Sequence, residues 1–372
     1  MTPRPRLGDN YSRTLHRGKS LLKKYYYREL LKMVDILDNG AILLGKNISV
    51  DGHGGKRIRV VTHAHSDHLN QLVESVRESE VILATPITLE MIQLLGYVSR
   101  SYIPLFKSKA KALNYYTVYS TDVEKITLLP AEHIVGSAQV LVEYNGFKLG
   151  YTGDFKLTSD TPIMKNLDLL VIEATYGNPN HRRPFKDHVP DILYELVDYG
   201  LSYYGRVVIY GYHGKLQEAM RILRAKGINE PFVLTEKVFE ITKALEKYGI
   251  KIENVFKEGS YRERERYIVF KHMMAASKRR LDGSALHVVL SGWEFREPFK
   301  RIDDHSYLVA LSDHSDFDDL VKYVELAKPN LVAVDASRDG DPYSLAKSLR
   351  ERGYCTIILP GNGETQVEEL CT

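Results

Sequence analysis

Residues 58–70 read IRVVTHAHSDHLN, a short β-branched run that ends in three histidines and an aspartate within six positions. Ile58 to Thr62 has strand character, so the chain delivers His63, His65, Asp67 and His68 into the loop at that strand's end. In His63-Ala64-His65 the two-residue alternation of an extended segment sets both imidazoles on one side, and Asp67-His68 then turns toward a neighbouring position. Imidazole nitrogen and carboxylate oxygen are the donors that Zn²⁺ and related divalent ions accept when thiolates are absent. One loop of this kind constrains the fold to an arrangement in which other strand ends bring further donors to the same place.

Thiolates are scarce. The 372 residues hold two cysteines, Cys355 and Cys371, which form neither a disulfide framework nor a zinc knuckle, so His and carboxylates must hold any metal. Few Cys and Gln beside many Lys, Arg, Glu and Tyr hint at a thermophilic source. A hydrophobic fraction of 44% against 27% charged residues allows a sizeable core. No apolar run approaches the roughly 18–20 residues of a membrane span. The opening MTPRPRLGDNYSRTLHRGKS lacks the apolar core of a signal peptide, and the expected compartment is the cytoplasm.

The remaining donors come from strand ends farther along. KITLLPAEHIVGSAQVLVEYNGFKLGYTGDF carries strands on both sides of His133, a hairpin turn at Asn145-Gly146, and Asp154 after the last strand. LDLLVIEATYGNP is a buried strand ending at Glu173, and ALSDHSDF puts His314 after another. Between them, GRVVIYGYHGKLQEAMRILRAKG and PFVLTEKVFEITKALEKYG read as strand-to-helix units, and the charged YRERERYIVFKHMMAASKRR reads as helical. Such alternation predicts a layered α/β architecture. Two divalent ions about 3.5–4 Å apart need a bridging oxygen, a role that suits Asp154.

In order, THAHSDH, AEHIVGSAQ and YTGDF resemble the metal motifs of the metallo-β-lactamase superfamily. The resemblance implies an αββα sandwich holding two metals, zinc first and manganese as the other fit. His63, His65 and His133 would bind one ion, Asp67 and His68 the other, and Asp154 would bridge. IEATYG and ALSDHSDF are similar to the first two signature motifs of the β-CASP nucleases, whose inserted α/β domain covers the site. That resemblance divides the chain into a basic extension over 1–32, a metallo-β-lactamase domain over 33–200 and 305–372, and an insertion over 201–304. It implies a phosphodiester hydrolase in which Asp67 and Asp154 orient the nucleophile. His314 would assist the leaving oxygen, and Glu173 would hold the His314 imidazole.

SGW and LSDHSDFDDL are particularly similar to exonucleases associated with DNA ligases, and ATYGNP and HSDF to cross-link repair nucleases such as Artemis. The third β-CASP position holds Asp335 in NLVAVDAS, where RNA-cleaving members carry a metal-binding His. A DNA exonuclease in repair or end processing, with repair proteins as partners, is therefore the expectation, and an RNA-processing nuclease the alternative.

Substrate contacts are expected from the GYHGK turn, which offers His213 and Lys215 at a helix start, and from Arg182, Arg183 and Lys186. The net charge is only +3, but the first 32 residues set Arg4, Arg6, Arg13, Arg17, Lys19, Lys23, Lys24, Arg28 and Lys32 against Asp9 and Glu29. That arm and KHMMAASKRR at 271–280 read either as solvated faces or as a phosphate track. In the second reading the rings of KKYYYRE could stack on bases. Trp293 is a candidate for stacking or for the core, and His53 in DGHGG has no assigned role.

Overall fold

The computed structural model describes residues 22–261, 266–276 and 282–371. The basic arm up to Lys19, and Lys278, Arg279 and Arg280, lie outside the described residues.

Two sheets face each other. The first has six strands, in the order Val34–Ile36, Ala41–Leu44, Ile48–Asp51, Ile58–Val60, Val81–Ala84 and Ala110–Ala112. The second has seven, running from Thr356–Leu359 through Leu331–Asp335, Leu169–Ile172, Phe147–Tyr151, Ala138–Tyr144 and Glu124–Pro130 to Val118–Ser120. Period-two alternation decides which residues fill the space between them. Val50, Val60 and Leu83 from one sheet share a core with Val140, Leu149, Val171 and Ala333 from the other. The opposite faces are covered by helices. Val61, Ile82 and Ala84 pack under Leu72–Glu78, Pro86–Leu94 and Ile103–Lys109. Leu170, Ile172, Val332 and Val334 pack under Phe317–Ala327 and Pro342–Glu351. The result is the αββα sandwich. Asn145 and Gly146, with φ of 49° and 81°, make the hairpin turn read from their pairing.

A third, seven-stranded sheet has its own core, from Val189 to Leu311. Helix Val189–Tyr204 packs on it, and Ser306–Val309 pairs with Leu286–Leu290. This unit therefore starts before 201 and runs past 304. Tyr267–His272 is one of its inner strands, paired on both sides, which corrects the helical reading of that segment. The apolar stretch Tyr267–Phe270 is four residues long between charged flanks, too short for periodicity to separate strand from helix. Cys355 and Cys371 are joined by a disulfide that ties the end of the last helix to the strand Thr356–Leu359, which corrects the reading that the two cysteines form no disulfide framework.

The described end of the basic arm is a helix over 22–31. Tyr27 is buried, and the Tyr26 hydroxyl donates to Asp168 at 2.5 Å, while Lys24 and Arg28 pair with Glu368. Asp168 and Asn330 precede parallel strands whose far ends carry Glu173 and Asp335, so this helix docks at the end of the sheet away from those residues. Tyr26 and Tyr27 anchor the helix and are not available as stacking rings.

Candidate metal centre and cleft

Strand Ile58–Val60 lies in the middle of the first sheet, and its exit carries His63, His65, Asp67 and His68 across the top of the sandwich. Asp154 follows strand Phe147–Tyr151 through Gly153. A Cβ at Gly153 would lie 3.0 Å from the Ala138 carbonyl and 3.2 Å from Thr62, and its φ is +55°, so the tight approach of Asp154 to the His loop requires glycine there. His133 sits on a turn closed by Ser137, whose hydroxyl accepts from the His133 amide at 3.1 Å. His314 lies just before helix Phe317–Ala327, which Asp316 caps by accepting from the Asp319 amide at 3.0 Å.

Each imidazole has one nitrogen committed to an acceptor, which leaves the other to face a common centre. His133 Nδ1 donates to the Asp313 carbonyl at 2.9 Å and His65 Nε2 to the His213 carbonyl at 3.3 Å. His68 Nδ1 meets Asp51 Oδ2 at 2.7 Å. The Thr62 hydroxyl donates to Asp51 at 2.8 Å and so accepts from His63 Nδ1 at 3.0 Å. The freed nitrogens converge: His65 Nδ1 is 3.2 Å from His63 Nε2 and 3.1 Å from His133 Nε2. Three nitrogens bonded to one ion at about 2.0–2.1 Å would be roughly 3.3 Å apart in a tetrahedron, so the spacing suits a shared divalent cation.

Asp154 Oδ2 lies 3.1 Å from His68 Nε2, 3.7 Å from His63 Nε2 and 3.9 Å from His133 Nε2. Asp67 Oδ2 lies 3.2 Å from His68 Nε2. His63-His65-His133, His63-His68-Asp154 and His133-Asp154-His314 are three groups in which a metal could sit. His68 Nε2 is buried and faces only the Asp154 and Asp67 carboxylates, the oxygens with which it would share a cation. The His/Asp cluster is a site for divalent metal.

Electrostatics agree with this assignment of protons. Burial, helped by neighbouring imidazoles, pushes His63 well below the usual histidine range and takes His133 down to about 3, and burial pulls His65 down against the nearby carboxylates. Neutral imidazoles are what a metal binds. Burial also opposes a charge on His68, but Asp154 and Asp51 outweigh it and raise this group well above the usual value. A proton stands there where a cation would. Burial would raise Asp154, yet the charge on His68 holds it well below the carboxylate range.

His314 is fixed by Glu173. Glu173 Oε1 accepts from the Phe155 amide at 2.9 Å, and Oε2 lies 3.2 Å from His314 Nδ1. Burial lowers His314, but the Glu173 carboxylate more than compensates, and the imidazole is pushed up to about 9. Its other nitrogen is left toward His133 and Asp154.

Of these groups, His65, Asp67 and His314 line a cleft of about 520 Å³ between the sandwich and the third sheet. His65, Asp67, Tyr97, Tyr176 and His314 line it from one side, and His213, Lys215, His272 and Trp293 from the other. Gly214, with φ of +91°, lets the GYHGK turn close on the His133 loop, since a Cβ there would lie 2.3 Å from Ile134. Lys215 reaches the cleft, where its ammonium is 3.0 Å from buried Asp313. Trp293 is 57% exposed and meets Tyr176 edge-on at 5.1 Å, so it is not a core residue.

Three expected substrate contacts fall elsewhere. Arg183 is buried, donates to the Gly292 and His314 carbonyls and lies over the Tyr176 ring, which makes it a brace for the His314 loop. Arg182 is engaged by Asp318 at 2.8 Å, and Lys186 by Asp319 at 2.5 Å, outside the cleft. Asp335 belongs to none of the three donor groups. It accepts from Ser337 and pairs with Arg338 at 2.6 Å, so it holds a turn. His53 is held by Ser75 and Glu78.

Asp51 is the functional residue that sequence reading missed. It lies 17 positions before His68, on a different strand, and its φ of 62° suits a residue that ends a strand before Gly52. Nothing in the local sequence announces a partner for His68. Asp51→Asn removes the acceptor that fixes the His68 tautomer. Metal affinity at that position is expected to fall about 10- to 100-fold, read by competition with a chromogenic chelator.

The Beta-lactamase superfamily domain matches residues 47–230, which carry every donor named above except His314. The chain belongs to the metallo-β-lactamase superfamily. The separate third sheet and the Glu173–His314 pairing agree with the β-CASP resemblance read from the sequence. A protein of Acidianus ambivalens described as an uncharacterized protein in the lig 3' region is 44% identical over 140 residues, covering 37% of this chain and 99% of that one. A probable DNA ligase of Opitutus terrae is 27% identical over 321 residues, 82% of this chain and 29% of the ligase. An RNase J-like protein of Methanocaldococcus jannaschii is 28% identical over 181 residues, 44% of this chain and 42% of that protein. The chain thus spans less than half the length of the last two relatives.

Proposed function

We propose that the chain is a metal-dependent nuclease that hydrolyses phosphodiesters at DNA ends, with zinc as the working ion. The observation that carries this reading is the convergence of four imidazoles and Asp154 beside a cleft that also presents a proton on His314. A pair of divalent ions, when bound, supplies a nucleophile at neutral pH and counter-charge for the phosphorus centre. The chain's own residues do the rest. His63, His65, His133 and His68 bind, with Asp67 completing the second position and Asp154 shared between the two. His314, kept charged by Glu173, donates its Nε2 proton to the departing oxygen. Lys215 and the GYHGK turn face the substrate phosphates, and the walls of the cleft exclude bulk water.

Trp293 offers an exposed ring over the cleft and serves as a platform for a base. Base-to-aromatic stacking is worth about 1–3 kcal/mol. Trp293→Ala is therefore expected to raise KM between about fivefold and a hundredfold, with kcat nearly unchanged, in steady-state assays on a single-stranded oligomer.

DNA is favoured by the likeness to a DNA ligase chain and by Asp335, which is engaged with Arg338 and adds no ligand to the centre. The likeness to an RNase J-like protein supports RNA as the second reading. End-labelled single-stranded DNA and RNA oligomers, incubated with the protein and Zn²⁺ or Mn²⁺, separate them. DNA shortened stepwise from one end is the expected result, and faster digestion of RNA would replace it with the second reading.

A further inference from the structure

Between Glu90 and Asp122 the chain carries Arg100, Lys107, Lys109 and Lys111 and no acidic residue. The segment begins in the cleft, where Leu95 and Tyr97 stand beside Asp67. It continues through the exposed loop at Arg100 into helix Ile103–Lys109, which anchors itself by burying Phe106, and ends on the edge strand Ala110–Ala112. A ribbon of cations thus leads from the cleft mouth around the edge of the first sheet.

None of the four has a carboxylate partner among the described residues. Lys109 donates to the Arg77 carbonyl at 2.8 Å, and Lys111 lies 4.7 Å above the Tyr119 ring. In helix Glu236–Leu245 and the turn after it, which pack against helix Pro86–Leu94, the pattern is reversed. Lys237 pairs with Glu240, Lys243 with Glu246, and Lys247 with Glu90, at 2.6, 2.8 and 2.5 Å. The neighbouring helix Leu72–Glu78 carries Glu74 and Glu78, of which Glu78 lies 3.2 Å from His53 Nε2, and its Arg77 guanidinium donates to the Tyr102 hydroxyl. Cations left unpaired along a path from a hydrolytic cleft are neutralised most readily by the phosphates of a strand that leaves it.

We propose that the face formed by Arg100, Lys107, Lys109 and Lys111 carries the uncleaved part of a single-stranded nucleic acid whose end occupies the metal centre. This rests on the nuclease reading. A guard role for Lys111 at an exposed sheet edge would account for one of the four cations and not for the others.

The test compares the metal-loaded wild type with the variant Arg100→Gln/Lys107→Gln/Lys109→Gln/Lys111→Gln, using a labelled 30-nucleotide single strand and a 4-nucleotide one. All four side chains are on the surface, where such changes leave stability nearly untouched; thermal melting verifies this. On the 30-mer the variant's KM should rise about tenfold or more. The slope of log affinity against log salt, read by fluorescence anisotropy, should become shallower by about 0.7 for each phosphate that the variant no longer neutralises. Cleavage of the 4-mer, too short to leave the cleft, should be unchanged. Equal KM and equal salt slope for the two proteins on the 30-mer would overturn the proposal and leave an anionic protein as the partner of this face. Should neither oligomer be cut, the nuclease reading fails, and the anisotropy slopes still decide whether the face holds nucleic acid.

Discussion

Replacing Asp154 by Asn should lower the metal content below two ions per chain and reduce turnover about a thousandfold or more. Oδ2 of this residue lies within 3.9 Å of ligand nitrogens in both donor groups, so a single carboxylate serves the whole centre. Asparagine keeps the shape and removes the negative charge that stabilises cations amid buried imidazoles. Charge stabilisation by metal is worth several kcal/mol, and each 1.4 kcal/mol is about tenfold in rate. Elemental analysis with single-turnover kinetics reads both quantities. Two ions retained together with turnover within tenfold of wild type would remove Asp154 from the centre.

The second large effect is expected at His314. Loss of a positioned proton donor costs about 10²- to 10⁴-fold, so His314→Ala should reduce kcat in that range while two ions remain bound. Loss of metal in this variant would instead make His314 a ligand, since it lies in one of the candidate donor groups. The pH profile separates the roles further. Burial works against the charged imidazole and Glu173 works for it, with the net result pushed up to about 9. A raised value means that His314 is charged below about 9 and loses its proton as pH rises through that point, so activity should fall on the alkaline side. Glu173→Gln removes the main raising influence, and the alkaline limb should move to lower pH. The same sign governs stability. The ion pair contributes fully below the free histidine value near 6.5, and its contribution is lost as pH climbs to about 9. An alkaline limb that stays in place in Glu173→Gln would show that another group donates the proton.

The parts of the site written in single short stretches were legible from the chain alone. His63, His65 and His68 share one loop, in which local alternation sets the rings of His63 and His65 on one side and the following turn carries His68 beside them. His133, Asp154, Glu173 and His314 were legible because each follows a strand, and strand ends in layered α/β folds collect at one edge. Charge type was a poorer guide. Arg182, Arg183 and Lys186 look like phosphate ligands in sequence, yet each is engaged by a carboxylate or a carbonyl of the His314 segment, a partner more than 100 positions away. Tyr26 and Tyr27 failed as stacking rings for the same reason, since their hydroxyls bond to Asp168 and Asn330.

The sequence by itself determined the donor chemistry, the order of the strands that bear it and a layered α/β architecture, because these follow from periodicity and from residue type at strand ends; the αββα arrangement of the layers came from the family resemblance. Only the tertiary structure decided which nitrogen of each histidine is free, that Asp51 fixes His68, that Asp335 braces a turn, and that Trp293 faces the cleft. Those outcomes depend on hydrogen bonds and packing between segments far apart in the chain, and a linear pattern carries no distances between them.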